Sequence, residues 1–382
     1  MNRLKKCIYL DYNASTPADK DVAQSVVHTM MHFYANPDSL HTAGEEARKI
    51  ILDAKKIIAG NLNADADEIC FTDSGTDANF MLLTGLFREY CGSGRHIIVS
   101  AAEHSSILDT AGFLQKEYGA EVSFAGVDQR GEIKYKEIEE LIRKNTIIIS
   151  VIHANNETGT INNLVRIGKT AAENGIIFHT DAVQSFCKTD IDVRQMNISA
   201  LSFSGHKIYG PEGIAGFYLN RYLNLDCFIT RNRDFLKYKS GTLNVHGIAG
   251  IRKAVEIMNE NKENDRNHLK KLHKYFIDKI LTSIPYAVYN GNIDNTIFNT
   301  VNFSFPGTVA AEVISDLNLN GIYASGGASC AGNSLSHVLK AMGLEHDLVV
   351  SAVRFSFGRY TTEEEIDETV EVLKKILRRR IR

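Results

Sequence analysis

Five short apolar runs, each closing in polar residues, set the pattern of the first half of the chain: HIIVSAAEHSS (96–106), AEVSFAGV (120–127), TIIISVIHANNETG (146–159), GIIFHTDAVQ (175–184) and ISALSFSGHK (198–207). Their length and β-branched content predict strands. Between them, apolar positions recur at helical spacing over 106–118, 134–143 and 164–174. Strand and helix therefore alternate, which predicts an α/β fold on a mostly parallel sheet with helices on both faces. Upstream, two helical stretches (22–33 and 43–58) flank the loop YANPDSLH, and FTDSGTDANFMLLTGLF (71–87) reads as a short strand, a Ser74-Gly75-Thr76 turn and a helix with Asp77 in its first turn.

The second half has a different rhythm. A long charged helical segment (247–284) leaves the large domain, and a strand (299–305), a helix (309–319), a strand (353–358) and a final helix with a Thr–Glu start follow it. At 382 residues the chain exceeds the roughly 250–300 at which a single core stops growing. The expected division is an N-terminal segment (1–15) packed with the small domain, a large domain (16–255) and a smaller α+β C-terminal domain (256–382).

Composition narrows the function classes. The 43 basic and 46 acidic residues give a formal charge of −3, which argues against general affinity for nucleic acid or membranes. No apolar run approaches 18 residues and no cleavable leader pattern opens the chain, so a soluble cytoplasmic protein acting on a small molecule is expected. The six cysteines stand apart without a CxxC pair, suggesting neither a disulfide framework nor a zinc knuckle.

Ligands of such sheets sit at the carboxyl ends of the strands. Those ends present His104, Asn155 with Asn156 and Glu157, Asp181 with Gln184, and Lys207. Lys207 lies in SFSGHKIYGPEG, at the end of an apolar run, where poor hydration disfavours its ammonium form and leaves an amine able to add to an aldehyde. Pyridoxal 5'-phosphate asks for such an amine and for a carboxylate under its ring nitrogen, for which Asp181 is the candidate. It also asks for a flat ring to stack, such as His104, and for phosphate donors, here Thr76, Ser204, His206 and Thr242. Each residue also has a plainer reading: a surface lysine, a strand-end turn aspartate, a satisfied histidine, a helix cap. Their convergence on one sheet edge favours the chemical one.

The ordered motifs YLDYNASTP, NPDSLHTAG, FTDSGTDAN, EHSSI, HANNETG, HTDAVQ, SGHKIYGPEG, SGTLN, ASGGASCAG and VRFSFGRYTTEEEID run nearly end to end. In them the chain resembles the cysteine desulfurases of the NifS/IscS type, within the class V aminotransferase group of fold-type-I pyridoxal phosphate enzymes. The resemblance implies that Lys207 carries the cofactor as an imine, that Asp181 pairs with the pyridinium, that Gln184 reaches the ring hydroxyl, and that His104 stacks on the ring and moves protons. It further implies that Gly75, Thr76, Ser204, Gly205 and His206 hold the phosphate, with Thr242 reaching the phosphate of the other subunit of a homodimer. Asn155 and Arg354 would bind the substrate L-cysteine, and Cys330 would be the nucleophile that takes up sulfur as a persulfide. The acceptor would be an iron–sulfur scaffold, a relay protein or a tRNA thiolation enzyme. Selenocysteine lyase, or another class V enzyme, is the neighbouring reading; a catalytically retired assembly partner is the distant one. The chain departs from the family where a glycine-rich stretch is usual, having ITRNRDFLKYKSGT with Arg231, Asn232, Arg233 and Lys239, and its cysteine loop is somewhat short.

Overall fold

The computed structural model describes residues 7–226, 241–326 and 335–380. In chain order the first part comprises β1 (Ile8–Tyr9), α1 (Lys20–His32), α2 (Thr42–Leu62), β2 (Ile69–Thr72), α3 (Gly75–Tyr90), β3 (His96–Ser100), α4 (Ser105–Tyr118), β4 (Glu121–Ala125), α5 (Tyr135–Leu141), β5 (Thr146–Ser150), α6 (Leu164–Glu173), β6 (Ile177–Asp181), β7 (Ala200–Ser204) and β8 (Ala215–Leu219). The alternating pattern is realised as a seven-stranded sheet in the order β2-β8-β7-β6-β5-β3-β4. From β7 to β4 the pairs are parallel, and β8 runs antiparallel to both β7 and β2. Every residue of β3, β5, β6 and β7 is buried, which explains why these strands read as unbroken apolar runs: helices cover both faces.

The second part comprises α7 (Val245–Ser283), β9 (Val288–Tyr289), β10 (Thr300–Ser304), α8 (Ala310–Leu319), β11 (Ile322–Tyr323), β12 (Ser325–Gly326), α9 (His337–Ala341), α10 (His346–Val350), β13 (Ala352–Ser356) and α11 (Glu363–Arg380). Its sheet is antiparallel in the order β12-β13-β10-β9, and β1 pairs in parallel with β11. The 39-residue α7 packs its first half, through Ile248, Ile251 and Val255, into the large sheet's core. Its second half, through Leu272, Phe276 and Ile280, packs into a separate core with Phe303, Phe355 and the N-terminal Ile8 and Leu10. The Thr–Glu start of α11 closes reciprocally: Thr362 N donates to Glu365 Oε2 at 3.1 Å, and Glu365 N to Thr362 Oγ1 at 3.3 Å. At its other end Arg380 Nε donates to Asp316 of α8 at 2.7 Å, so that basic residue is used within the fold.

Candidate active site

Lys207 ends a single 3-10 turn, Gly205–Lys207, entered directly from β7. Ile208 N and Gly210 N both donate to Gly205 O at 3.0 Å. Glycine is required at 205 by space, because a Cβ there would stand 3.0 Å from Ile214 O and 3.2 Å from Pro211 O. The Lys207 Nζ donates to the carbonyls of Asn13 and Ala14 at 2.5 and 2.6 Å. The N-terminal segment thus holds the amine in place from nearly two hundred residues away in sequence.

Asp181 ends β6 one strand over, 3% exposed. Its Oδ1 accepts from Val183 N at 2.9 Å and its Oδ2 from Asn79 Nδ2 at 2.8 Å. Asn79 lies four residues after Gly75 on α3, so both fall on one helix face. Its Oδ1 in turn accepts from Ser202 Oγ at 2.5 Å. Deeper in the core, Glu103 accepts from Ile152 N at 2.5 Å. Burial, reinforced by the Asp181 charge, pushes the Glu103 carboxyl well above the usual carboxylate range.

His104 caps α4: its Nδ1 accepts from Ser106 N at 3.2 Å and pairs with Ser106 Oγ at 2.9 Å. Burial lowers its pKa; the Asp181 charge works against that and Lys207 with it. His206 is lowered to about 4, by burial first and by the neighbouring Lys207 second. Both rings are neutral at physiological pH.

Lys207, Asp181, His104, Gln184, Ser204 and Arg354 line one cavity of about 290 Å³. Gly75 and Thr76, at the N-terminus of α3, and His206, in the turn before Lys207, line it as well. Ser204 Oγ is buried there without a hydrogen-bond partner among the described residues. At Gly75 a Cβ would stand only 2.8 Å from Val183 Cγ2, so the helix start lies close against the β6 turn. An orphaned hydroxyl, open helix N–H groups and an amine form a receptacle suited to a phosphate ester of an aldehyde. Pyridoxal phosphate fits these residues. Arg354, 2% exposed, stands in β13 with Nη1 donating to Asn156 O at 3.0 Å and Nη2 to Asp11 Oδ1 at 2.9 Å.

The other sequence-predicted residues fall differently. Gly205 shapes the turn and does not line the cavity. Asn155 is spent on backbone groups, with Oδ1 accepting from Glu157 N at 2.9 Å and Thr158 N at 3.0 Å in its own loop and Nδ2 donating to Ala102 O at 2.9 Å in the segment after β3; Asn156 and Glu157 line the cavity instead. Thr242 is exposed and away from this cavity. Cys330 lies outside the described residues, as do Arg231, Asn232, Arg233 and Lys239. Sequence reading missed Asn13, Asn79, Glu103 and His337. Of these only Asn79 carried a local signal, its four-residue spacing from Gly75.

Residues 8–369 match the family model described as Aminotransferase class-V. The chain belongs to that family. It is 36% identical over 376 residues to a cysteine desulfurase IscS of Dictyoglomus turgidum, covering 98% of this chain and 95% of that one. Against the cysteine desulfurase IscS of Clostridium botulinum the identity is 37% over 381 residues, covering 99% and 96%. Among solved structures, a NifS-like protein superposes with a TM-score of 0.91 at 29% identity, covering 97% of this chain and 99% of that one. SspA in complex with cysteine superposes at 0.81 with 35% identity, covering 93% and 100%. The fold is that of the fold-type-I pyridoxal phosphate enzymes, and pyridoxal 5'-phosphate is the cofactor.

Proposed function

We propose that this protein is a cysteine desulfurase: it removes sulfur from L-cysteine, releases L-alanine, and holds the sulfur as a persulfide on Cys330 for transfer to an acceptor. The observation that carries the reading is the convergence of an amine (Lys207), a buried carboxylate (Asp181) and a buried guanidinium (Arg354) on one cavity, in a chain this similar to IscS relatives. Pyridoxal phosphate, when bound, supplies an electron sink for bonds broken at the substrate's carbons.

The chain's own residues do the rest. Lys207 would hold the cofactor through its amine, and the same amine would move a proton at the substrate's reacting carbon. Asp181 would hold a proton on the cofactor's ring nitrogen, and Asn79 with Val183 N fixes the carboxylate's orientation. Gly75, Thr76, Ser204 and His206 would cradle the phosphate, and Gln184 would meet the ring hydroxyl. His104, neutral because it is buried, would stack on the ring and accept a proton. Arg354, its fork aligned by Asp11 and Asn156 O, grips the substrate carboxylate. Asn155 contributes by building the loop that turns Asn156 and Glu157 inward. The Cys330 thiolate attacks the substrate sulfur, a sulfur–sulfur bond forms, and the carbon–sulfur bond breaks. Its electron pair, with a proton, completes the methyl group of alanine.

The domain division is 1–15, 16–255 and 256–382, supported by two cores that α7 joins and by Ile8 and Leu10 packing in the second. A homodimer is the active unit, with Thr242 serving the partner's phosphate. Val27, Met30, Met31, Tyr34 and Leu40 are all more than half exposed on and after α1, an apolar surface of the kind a second copy covers. No helix among the described residues is long and apolar enough to cross a membrane. The enzyme works in the cytoplasm, passing sulfur to an iron–sulfur scaffold, relay or thiolation protein. The test is stoichiometry: holoenzyme given L-cysteine and a thiol reductant yields alanine and sulfide in equal amounts. Production of pyruvate and ammonia in place of alanine would show a different reaction.

A further inference from the structure

Lys207 lines two cavities, the one described above and a second of about 250 Å³ behind it, between α7 and residues 294–299. Nothing in the reaction as derived uses the second. Lys188 faces it, half-buried, on the turn after β6, where Cys187 takes a left-handed φ of 60°. Lys188 Nζ donates to Gln184 Oε1 at 3.4 Å, Gln184 Nε2 donates to Asn13 O at 3.0 Å, and Lys207 Nζ donates to the same carbonyl at 2.5 Å. The chemistry of the partners fixes the amide's orientation. A carbonyl only accepts, so Nε2 must face Asn13, which leaves Oε1 to accept from the Lys188 amine.

Burial and then the nearby Lys207 lower Lys188 to about 7, and the amine keeps N–H groups to donate in either charge state. Other groups facing Lys188 are Cys187, whose thiol burial pushes far up, and His206, which stays neutral. Around the cavity Lys262 is bound to Asp190 and Asp265 to Arg359, Tyr12 and Tyr209 are raised by burial, and Arg266 and Asp294 are exposed.

We propose that Lys188 is a positioning residue for the cofactor: from the second cavity it holds Gln184 by its amide oxygen, keeping Nε2 turned to Asn13 and the cofactor ring, and it sets a second amine behind Lys207. The inference rests on the reading of Gln184 as the residue that meets the ring hydroxyl.

The experiment compares holoenzymes of wild type, Lys188→Met, Lys188→Arg and Gln184→Ala by pyridoxal phosphate affinity and by the pH profile of the bound cofactor's absorbance. Lys188→Met is expected to weaken cofactor binding about tenfold, the value of one hydrogen bond of about 1.4 kcal/mol. It should also move the absorbance midpoint upward by about half a pH unit, since a neighbouring cation that opposes protonation is gone. Lys188→Arg should restore both. If the Met variant does not fold, Lys188→Gln, too short to reach Gln184 Oε1, must change both readouts in the same direction. Wild-type behaviour of the Lys188 variants beside an altered Gln184→Ala overturns the inference; wild-type behaviour of Gln184→Ala overturns the reading of Gln184 and the inference with it.

Discussion

Replacing Asp181 with asparagine removes one charge while keeping the side chain's shape. The carboxylate is 3% exposed, so almost no water screens what it does to a ligand in the cavity. Two unit charges in contact, about 4 Å apart at an effective dielectric constant near 20, interact by about 4 kcal/mol. If that interaction keeps the ring nitrogen protonated, its loss slows the chemical step by about three decades, at 1.36 kcal/mol per decade. A second, smaller effect is structural. Val183 N still finds an acceptor, but Asn79 Nδ2 then faces an amide NH₂, and Asn79 Oδ1 is already committed to Ser202. That donor-to-donor contact costs about 1–3 kcal/mol of stability. The assay is single-turnover alanine formation with cofactor saturating, alongside urea denaturation of the same preparations. The expected result for Asp181→Asn is alanine formation slowed about a thousandfold in a folded, modestly destabilised protein. A folded variant within tenfold of wild type would refute the assignment of Asp181 to the ring nitrogen.

Other perturbations follow from the same geometry. Lys207→Ala should leave the protein without a covalently bound chromophore after borohydride reduction, while wild type retains it; a retained label in the variant would place the link on another amine. Arg354→Lys keeps a charge but loses the fork aligned by Asp11 and Asn156, and should raise KM for L-cysteine about tenfold or more, with kcat less affected. An unchanged KM would remove Arg354 from the substrate site. His153 and His273 are lowered to about 4, and His179 to about 3, by burial. The unfolded chain therefore binds protons that the folded one refuses, and stability is fully present above the unfolded value near 6.5 and falls as pH drops from there toward 4. At pH 5 each histidine costs about 2 kcal/mol, so the urea midpoint of the holoenzyme should fall steeply between pH 7 and 5; a flat profile would contradict that burial.

The parallel sheet was legible because strands buried on both faces leave an unbroken apolar signature, as in Thr146–Ser150, and because the covering helices alternate with them. The cavity was legible for a related reason, since parallel strands bring all their carboxyl ends to one edge and Asp181 and Lys207 each mark such an end. The groups that orient those residues were not. Asn13 holds Lys207 across the whole large domain, and His337 Nε2 reaches Glu103 O at 2.7 Å from the other half of the chain. Contacts of that separation follow from tertiary packing and leave no periodicity to read. Asn155 shows the converse: a polar strand-end residue that looked like a ligand uses its amide oxygen to hold its own turn and its amide nitrogen to tie that turn to the Ala102 carbonyl.

Passage of sulfur through Cys330 is tested most directly by locating the sulfur on the chain. Holoenzyme treated with sulfur-labelled L-cysteine without reductant, alkylated and digested, should carry one labelled persulfide on the peptide spanning ASGGASCAG, and Cys330→Ala should carry none while still binding L-cysteine. Label found instead on Cys7, Cys70, Cys91, Cys187 or Cys227, or full sulfide release by Cys330→Ala, would contradict that route.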